Sequence, residues 1–501
     1  MNCRRSVGAV LSTAALIAAM SPVVAFAKTT GTGITDVDDT SLTVSGLTSG
    51  DTATAYQVFD AYIDGSNVLQ YKAATGLPEK YDTVEELQKS GNTGSDGAKA
   101  AADAYSKAFA DGTATGVATK VEATAGADGT ATFTGLDSGY WVVVVTSTSG
   151  TTKVYQPTTI DASPVEKNGA WAANTTMAQN VNQIKSEPVN VSKGVGDDFK
   201  EETDKYSVGK FVPFKVTTNV PNYPADSKDA TFTIVDTPTA GLEIDTSSIT
   251  VKVGETTVWV DGSATTDGAS AFKTDTTKQA KGGYTFDFAK KYVLAHPGAD
   301  VTVTYNAKLT SAAFSHANGD VTGNTAQVTF NPNPYSETTV TPNDKTKVYT
   351  YGFVFEKVDQ KENALEGAVF TLYDKAGNVV KDENNKVITS TSKKVDGKAY
   401  VYFEDLGVGD YVAKETTVPA GKVKAADVSF SLNKDDAKFD NPATKDVIEN
   451  NYLVATDKVV DGNQPLLPVT GQAGTFAITV CGVVLVGTAC VIASRGSKRS
   501  E

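Results

Sequence analysis

Cysteine is almost missing from this chain. Its three cysteines, Cys3, Cys481 and Cys490, all lie close to the two ends. The long stretch between them cannot be stapled by disulfides, so a small disulfide scaffold is excluded. Histidine is equally scarce, with His296 and His316 the only two. With no cysteine near them, a zinc centre lacks ligands. A Ser/His/Asp constellation has almost nothing to draw on, and an enzyme of that class is not expected. An excess of base is lacking as well. Against 59 Asp and Glu stand 45 Lys and Arg, for a net charge of -14. This argues against nucleic acid as a partner, and a soluble, exposed surface is enough to explain it. No motif points to a cofactor. Asp245-Thr246-Ser247-Ser248 superficially suggests a metal-binding loop, but it lacks the strand-loop setting and remote ligands.

Long hydrophobic runs are confined to the ends. Arg4 and Arg5 precede an apolar stretch from Val7 to Met20, and Ala25-Phe26-Ala27 gives a small-x-small pattern. This order predicts an export signal over residues 1–27, cut after Ala27. At the other end, Leu467-Pro468-Val469-Thr470-Gly471 is followed by an apolar run over 473–493, then Arg495, Lys498 and Arg499. That run is long enough to cross a hydrocarbon core, and the basic tail favours the cytoplasmic side. A plain C-terminal membrane anchor would share the apolar run. All three cysteines fall within these terminal segments. An exported body with access to disulfides therefore makes no use of them. Either its cores suffice or another crosslink takes their place.

The C-terminal order of pentapeptide, apolar segment and basic stop resembles the cell-wall sorting signal of Gram-positive surface proteins (residues 467–501). The resemblance implies that a sortase cuts between Thr470 and Gly471 and joins the Thr470 carboxyl to an amine. It places the finished protein on the cell-wall surface, its precursor having passed through the plasma membrane.

Between the termini the chain is rich in Thr, Val, Gly and Ala, in short alternating segments such as Tyr140 to Val145, Val301 to Tyr305 and Val401-Tyr402-Phe403. β-Branched and aromatic residues favour strands, and Gly and Asp punctuate them at turn spacing. The expected fold is mostly β: tandem immunoglobulin-like β-sandwich domains, with a short helix in the first. That helix is expected between Gly97 and Asp111, with Tyr105 and Phe109 on one face, crossing one end of the sandwich. The domains are expected at 28–185, 186–342 and 346–453, with a polar tether at 454–466. The pattern F-x-x-L-x-x-G-x-aromatic occurs at Phe133 to Trp141 and again at Phe403 to Tyr411. This suggests related modules, although two tight turns could converge on it.

The third domain resembles the Cna-B-type sandwich of Gram-positive pilins. The match rests on Leu365-Glu366-Gly367-Ala368-Val369-Phe370, Gly397-Lys398-Ala399 and the phrase from Tyr411 to Gly421, which is similar to the family's E-box. The phrase departs at Lys422, where the family favours an aromatic. The resemblance implies an intramolecular isopeptide bond from Lys357 to Asn450, assisted by Glu415. Asn451 is the neighbouring rival; the apolar Ile448 at the same strand parity tips the choice towards Asn450. Such a bond needs a neutral amine and a polarised carbonyl. Burial disfavours ammonium and carboxylate alike, and a protonated glutamate can donate to the carbonyl and relay protons. Phe353, Phe355 and Lys357 share parity, as a buried lysine requires, whereas an ordinary strand lysine would face solvent.

The second domain resembles the isopeptide-forming middle domain of major fimbrial subunits, through Val191-Ser192-Lys193-Gly194-Val195, Phe232 to Thr237 and Gly323 to Phe330. The resemblance maps the lysine to Lys193, the acid to Asp236 and the asparagine to Asn324. Lys215 is the alternative lysine, and Asp236 could instead simply open a turn. Backbone pilins also carry an acceptor lysine between the first and second domains. Here Lys185 follows Trp171 and the segment Val181 to Ile184, with Ile184 where the family has proline. Lys193 competes for that role but cannot fill both.

Together these features imply the backbone subunit of a sortase-assembled pilus, polymerised through Thr470 and Lys185 and with a role in adhesion. Its expected partners are a pilin-specific sortase, further copies of itself, minor or tip pilins, peptidoglycan and a host-surface ligand. The alternative is a monomeric wall-anchored adhesin or basal pilin, sharing the signal and sandwiches without polymerising.

Overall fold

The computed structural model describes residues 40–464, apart from 93–94, 117–119, 148–149, 175–180, 274–279, 315–321, 433–451 and 456. Among the described residues the architecture is a row of β-sandwiches, with α-helices Val84–Asn92 and Ser95–Ala110 in the first and a short one, Lys290–Ala295, in the second.

In the first domain, Thr40–Ser45 runs between Ala131–Leu136 and Val181–Gln183. The facing sheet is ordered Leu69–Ala73, Thr52–Ile63, Gly139–Ser147, Thr158–Ala162. The unbroken apolar run from Tyr140 to Val145 is explained by burial on both faces. Trp141, Val143 and Val145 enter the core between the sheets. Tyr140, Val142 and Val144 enter a second core, roofed by helices Val84–Asn92 and Ser95–Ala110. The helix expected near 97–111 is therefore present, but it lies across a sheet face instead of one end. Tyr105 is fully buried there, and Phe109 stacks on Tyr56 with ring centres 4.7 Å apart.

The second domain pairs Val191–Val195, Phe211–Asn219 and Asp300–Leu309 in one sheet, against Phe232–Pro238, Thr322–Phe330 and Asn343–Val348 in the other. Along Asp300–Leu309 every second residue points inward: Val301, Val303, Tyr305, Ala307 and Leu309 are buried. Each large apolar side chain so buried contributes about 1.5–3 kcal/mol. The domain borders differ slightly from those expected. Ser186–Pro188 pairs with first-domain strand Lys153–Tyr155, and Asn343–Val348 still belongs to the second domain.

The third domain sets Tyr351–Asp359 beside Lys398–Leu406, against a sheet of Thr389–Thr391, Val369–Asp374, Gly409–Thr417 and Val428–Leu432. One element departs from expectation. Residues 454–466 are not a plain tether, because Val459–Asn463 forms a strand parallel to Tyr351–Asp359. Its inward residue is Asp461, while Val460 is exposed. A charge facing in and a valine facing out invert the usual alternation, which hides the strand from a hydrophobic reading.

Adjacent domains are joined by backbone hydrogen bonds. The Tyr155 amide donates to Pro332 O (2.8 Å) at the first joint, and the Val208 amide to Asp405 O (2.8 Å) at the second.

Candidate functional site

Two sealed lysines define the chemistry, one in the core of each of the last two domains. Lys193 sits on the first strand of the second domain, and its side chain is wholly buried with that of Asp236. Its ammonium contacts the Asp236 carboxylate and donates to the Tyr305 hydroxyl (2.7 Å). That hydroxyl also accepts from Asn324 Nδ2 (2.8 Å) and donates to Asp236 (3.1 Å). The Tyr284 hydroxyl donates to Asp236 as well (3.3 Å). Lys193, Asp236 and Asn324 thus converge on one hydroxyl, from three strands held in register by the two facing sheets. Burial holds Lys193 below the usual ammonium range, against the pull of Asp236. Asn324 Oδ1 accepts no hydrogen bond. Lys215 lies on the outward face, its Nζ over the Phe199 ring, so parity with the exposed Phe211 takes it out of the core.

In the third domain Lys357 has no exposed side-chain surface, and Phe353 and Phe355 are buried with it. Its Nζ lies 2.6 Å from Asp461 Oδ1, and that carboxylate is also wholly buried. Glu415 is buried beside them, with Oε2 accepting the Ala425 amide (2.7 Å). Burial, with the neighbouring Asp461 charge, pushes the Glu415 carboxyl above the usual range. Asn450 and Asn451 lie outside the described residues, as do Ala27 and the whole of 467–501, with Leu467, Pro468, Val469, Thr470 and Gly471.

Lys185 is placed quite differently. It lies between Val181–Gln183 and Ser186–Pro188 with its side chain exposed, while its neighbours Ile184 and Val189 are buried. The Lys185 carbonyl accepts the Gln156 amide (2.8 Å), which fixes the backbone of the joint. Trp171 lies on a separate hairpin and donates to Asn67 O (3.2 Å). Among the described residues no three His, Cys, Asp or Glu side chains are grouped to hold a metal.

Sequence reasoning missed three participants: Tyr305, Tyr284 and Asp461. The tyrosines look like core residues of alternating strands, and their hydroxyl function appears only when three strands meet. Asp461 followed two valines and preceded Gly462, a pattern as typical of a turn.

Residues 352–445 match the family model described as SpaA, a prealbumin-like fold domain. The trypsin-resistant surface T6 protein of Streptococcus pyogenes is 26% identical over 315 residues, covering 58% of this chain and 55% of that protein. The chain thus spans about half the length of that relative. Among solved structures, the T6 backbone pilin of serotype M6 Streptococcus pyogenes aligns with a TM-score of 0.64 at 17% identity, over 86% of this chain and 100% of its own. The full-length major pilin SpaD of Corynebacterium diphtheriae aligns with a TM-score of 0.53 at 18% identity, over 85% of this chain and 97% of its own. The fold is that of a three-domain backbone pilin. The family match ends at 445, short of the strand that carries Asp461.

Proposed function

We propose that this chain is the backbone subunit of a covalent surface fibre on a Gram-positive cell. A sortase cleaves between Thr470 and Gly471 and transfers the Thr470 acyl group to Lys185 of another copy. Repetition builds a head-to-tail polymer, a heterologous contact that does not close. The observation that carries this reading is the contrast between two nearby lysines. Lys185 is exposed at a fixed backbone position in the first joint, while Lys193 is sealed in the second domain. An acceptor for an external acyl group must be reachable; a lysine for internal chemistry must not.

In the second domain Lys193 is the internal nucleophile, Asn324 the electrophile and Asp236 the proton carrier. The neutral amine attacks Asn324 Cγ, a C–N bond forms and ammonia leaves. Asp236 is held by two tyrosine hydroxyls, which suits a group that moves protons and keeps its own oxygens. Proximity supplies much of the barrier reduction. Minor or tip pilins, peptidoglycan and a host-surface ligand complete the expected partners.

Tandem mass spectrometry of digested wall fibres tests the reading. The expected product joins the Thr470 carboxyl to the Lys185 side-chain amine, and Lys185→Ala removes the high-mass ladder while monomer stays on the wall. Thr470 linked to another lysine would move the acceptor. A wall fraction without any Thr470–lysine bond would favour the monomeric adhesin.

A further inference from the structure

We propose that the crosslink of the third domain joins Lys357 to Asp461, in the Val459–Asn463 strand, and forms with loss of water. The usual asparagine partner is not needed. The inference concerns the chain's internal chemistry and holds whether or not the fibre reading does.

Three observations carry it. The first is register. Tyr351–Asp359 opens the domain and Val459–Asn463 closes it; the two run parallel with Lys357 opposite Val459 and Asp359 opposite Asp461. That offset brings the Lys357 side chain to the inward carboxylate, with Nζ 2.6 Å from Oδ1.

The second is what the oxygens do. Apart from the Lys357 amine at Oδ1, no donor reaches either Asp461 oxygen, and Glu415 Oε1 is bare. A buried carboxylate with an amine on one oxygen and nothing on the other is costly to keep as an anion. A carboxyl whose main partner is the amine itself, with a second buried acid beside it, is a reactive set more than a stable ion pair. The contrast with the second domain is informative. There the acid nearest the lysine, Asp236, receives hydroxyl donors from Tyr305 and Tyr284. The bare acceptor there is Asn324 Oδ1. In each domain the group with unbonded oxygen, on a strand facing the lysine, is the natural electrophile.

The third is sealing. Lys357 and Asp461 have no exposed side-chain surface, and Glu415 is 2% exposed. Proton transfer from ammonium to carboxylate gives a neutral amine and a neutral acid, the forms that burial favours. The amine attacks Asp461 Cγ. A C–N bond forms and one C–O bond breaks. The departing oxygen leaves as water with the two protons shed by the nitrogen. Glu415 donates a proton to that oxygen and recovers one from the nitrogen, so it is unchanged at the end. No oxidant or other reactant enters.

The test is digestion of the denatured full-length chain with trypsin and chymotrypsin, followed by fragment sequencing. Cleavage after Lys458 separates Asn450 and Asn451 from Asp461. The expected species joins the fragment containing Lys357 to the one beginning at Val459, about 18 Da lighter than their sum. A Lys357 fragment joined to the one carrying Asn450, about 17 Da lighter, would overturn the assignment. Free cleavage after Lys357 would overturn it as well. Asp461→Asn should give a linked fragment of the same mass as wild type, because its ammonia leaves where water did. Asp461→Ala should give none, and a linked fragment surviving in that variant would also refute the proposal. Chymotryptic cleavage after Leu466 separates Asp461 from Thr470, so the Thr470–Lys185 bond is read on different fragments and either result stands apart from the other.

Discussion

Trp141 and Tyr411 make the same hydrogen bond in two different domains. Trp141 Nε1 donates to Asp137 O (3.0 Å), and the Tyr411 hydroxyl donates to Gly407 O (2.9 Å). Each reaches back four residues across the point where the chain leaves one sheet of its sandwich for the other. The glycines two residues before them, Gly139 and Gly409, have φ of +140° and +154°. At Gly139 a Cβ would come within 2.0 Å of Phe59 O. The recurring F-x-x-L-x-x-G-x-aromatic phrase is thus one device used twice: a glycine takes the sharp crossing and an aromatic polar atom ties it down. Convergence on an ordinary tight turn would not require the shared bond.

Tyr411→Phe should therefore destabilise the third domain without unfolding it. The substitution leaves the Gly407 carbonyl without this donor and frees Ser207 Oγ from its contact with Tyr411 (2.9 Å). A cost of about 1–3 kcal/mol is expected. Trp141→Phe should cost more, because it also removes part of a ring that is 1% exposed. Thermal unfolding of each variant checks both, and equal stability of Tyr411→Phe and wild type would show that the corner bond contributes nothing.

Tyr305 is the hub of the second-domain site, bonded to Lys193, Asp236 and Asn324. Tyr305→Phe keeps the ring, which stacks on Phe214 with centres 5.3 Å apart, and removes only the hydroxyl. The Lys193–Asn324 amide should then form much more slowly, since Asn324 loses the group that orients its carboxamide. Intact-mass measurement against time after refolding reads the rate. Formation at the wild-type rate would reduce Tyr305 to a packing residue.

Much of this was legible from alternation and phrase. The strand Asp300–Leu309 was visible because its inward positions are apolar, apart from one tyrosine. Lys193, Asp236 and Asn324 stood out through the phrases around them, and the structure brings the three together. Lys357 was readable because Phe353 and Phe355 share its parity. What stayed hidden was whatever broke alternation or needed a distant strand. Asp461 points a charge inward from a strand that shows Val460 to solvent. A helix between Gly97 and Asp111 is expected from Tyr105 and Phe109 sharing a face, yet the position of Ser95–Ala110 over a sheet face depends on Tyr140, Val142 and Val144 leaving a second apolar surface uncovered.

Blocking the second-domain amide should expose a pH dependence. In Asn324→Ala the Lys193 amine stays titratable. It faces the Asp236 carboxylate and the Tyr305 and Tyr284 hydroxyls, with Asp344 accepting its backbone amide (2.8 Å). Burial lowers its folded pKa below the ordinary lysine value. The unfolded chain, with an ordinary lysine near 10.4, then binds more protons than the folded one between those two values. Stability should rise with pH through that window and be lost as pH falls through the folded value. Hydrogen exchange of second-domain peptides between neutral and alkaline pH measures this. A stability that falls with rising pH would contradict the depressed lysine.

Gly209 sets the joint between the second and third domains. Its φ is +79°, and a Cβ there would sit 2.7 Å from Asp382 O of the third domain. Beside it, the Val208 amide donates to Asp405 O, while the Gly209 amide holds Leu309 O (2.8 Å). The segment therefore bonds backward into its own domain and forward into the next, with no room for a side chain between. Gly209→Ala adds the strain of a left-handed backbone, about 1–2 kcal/mol, and a clash with backbone that cannot move aside. The strain falls on the seam, because the atoms nearest the added Cβ are the Asp382 and Lys381 backbone of the third domain. The variant should keep both sandwiches folded but loosen their angle. Small-angle scattering should report a broader distribution of shapes, and protease should cut near 204–210 at a rate at which wild type stays whole. An unchanged scattering profile together with wild-type protease resistance would mean the joint is held elsewhere.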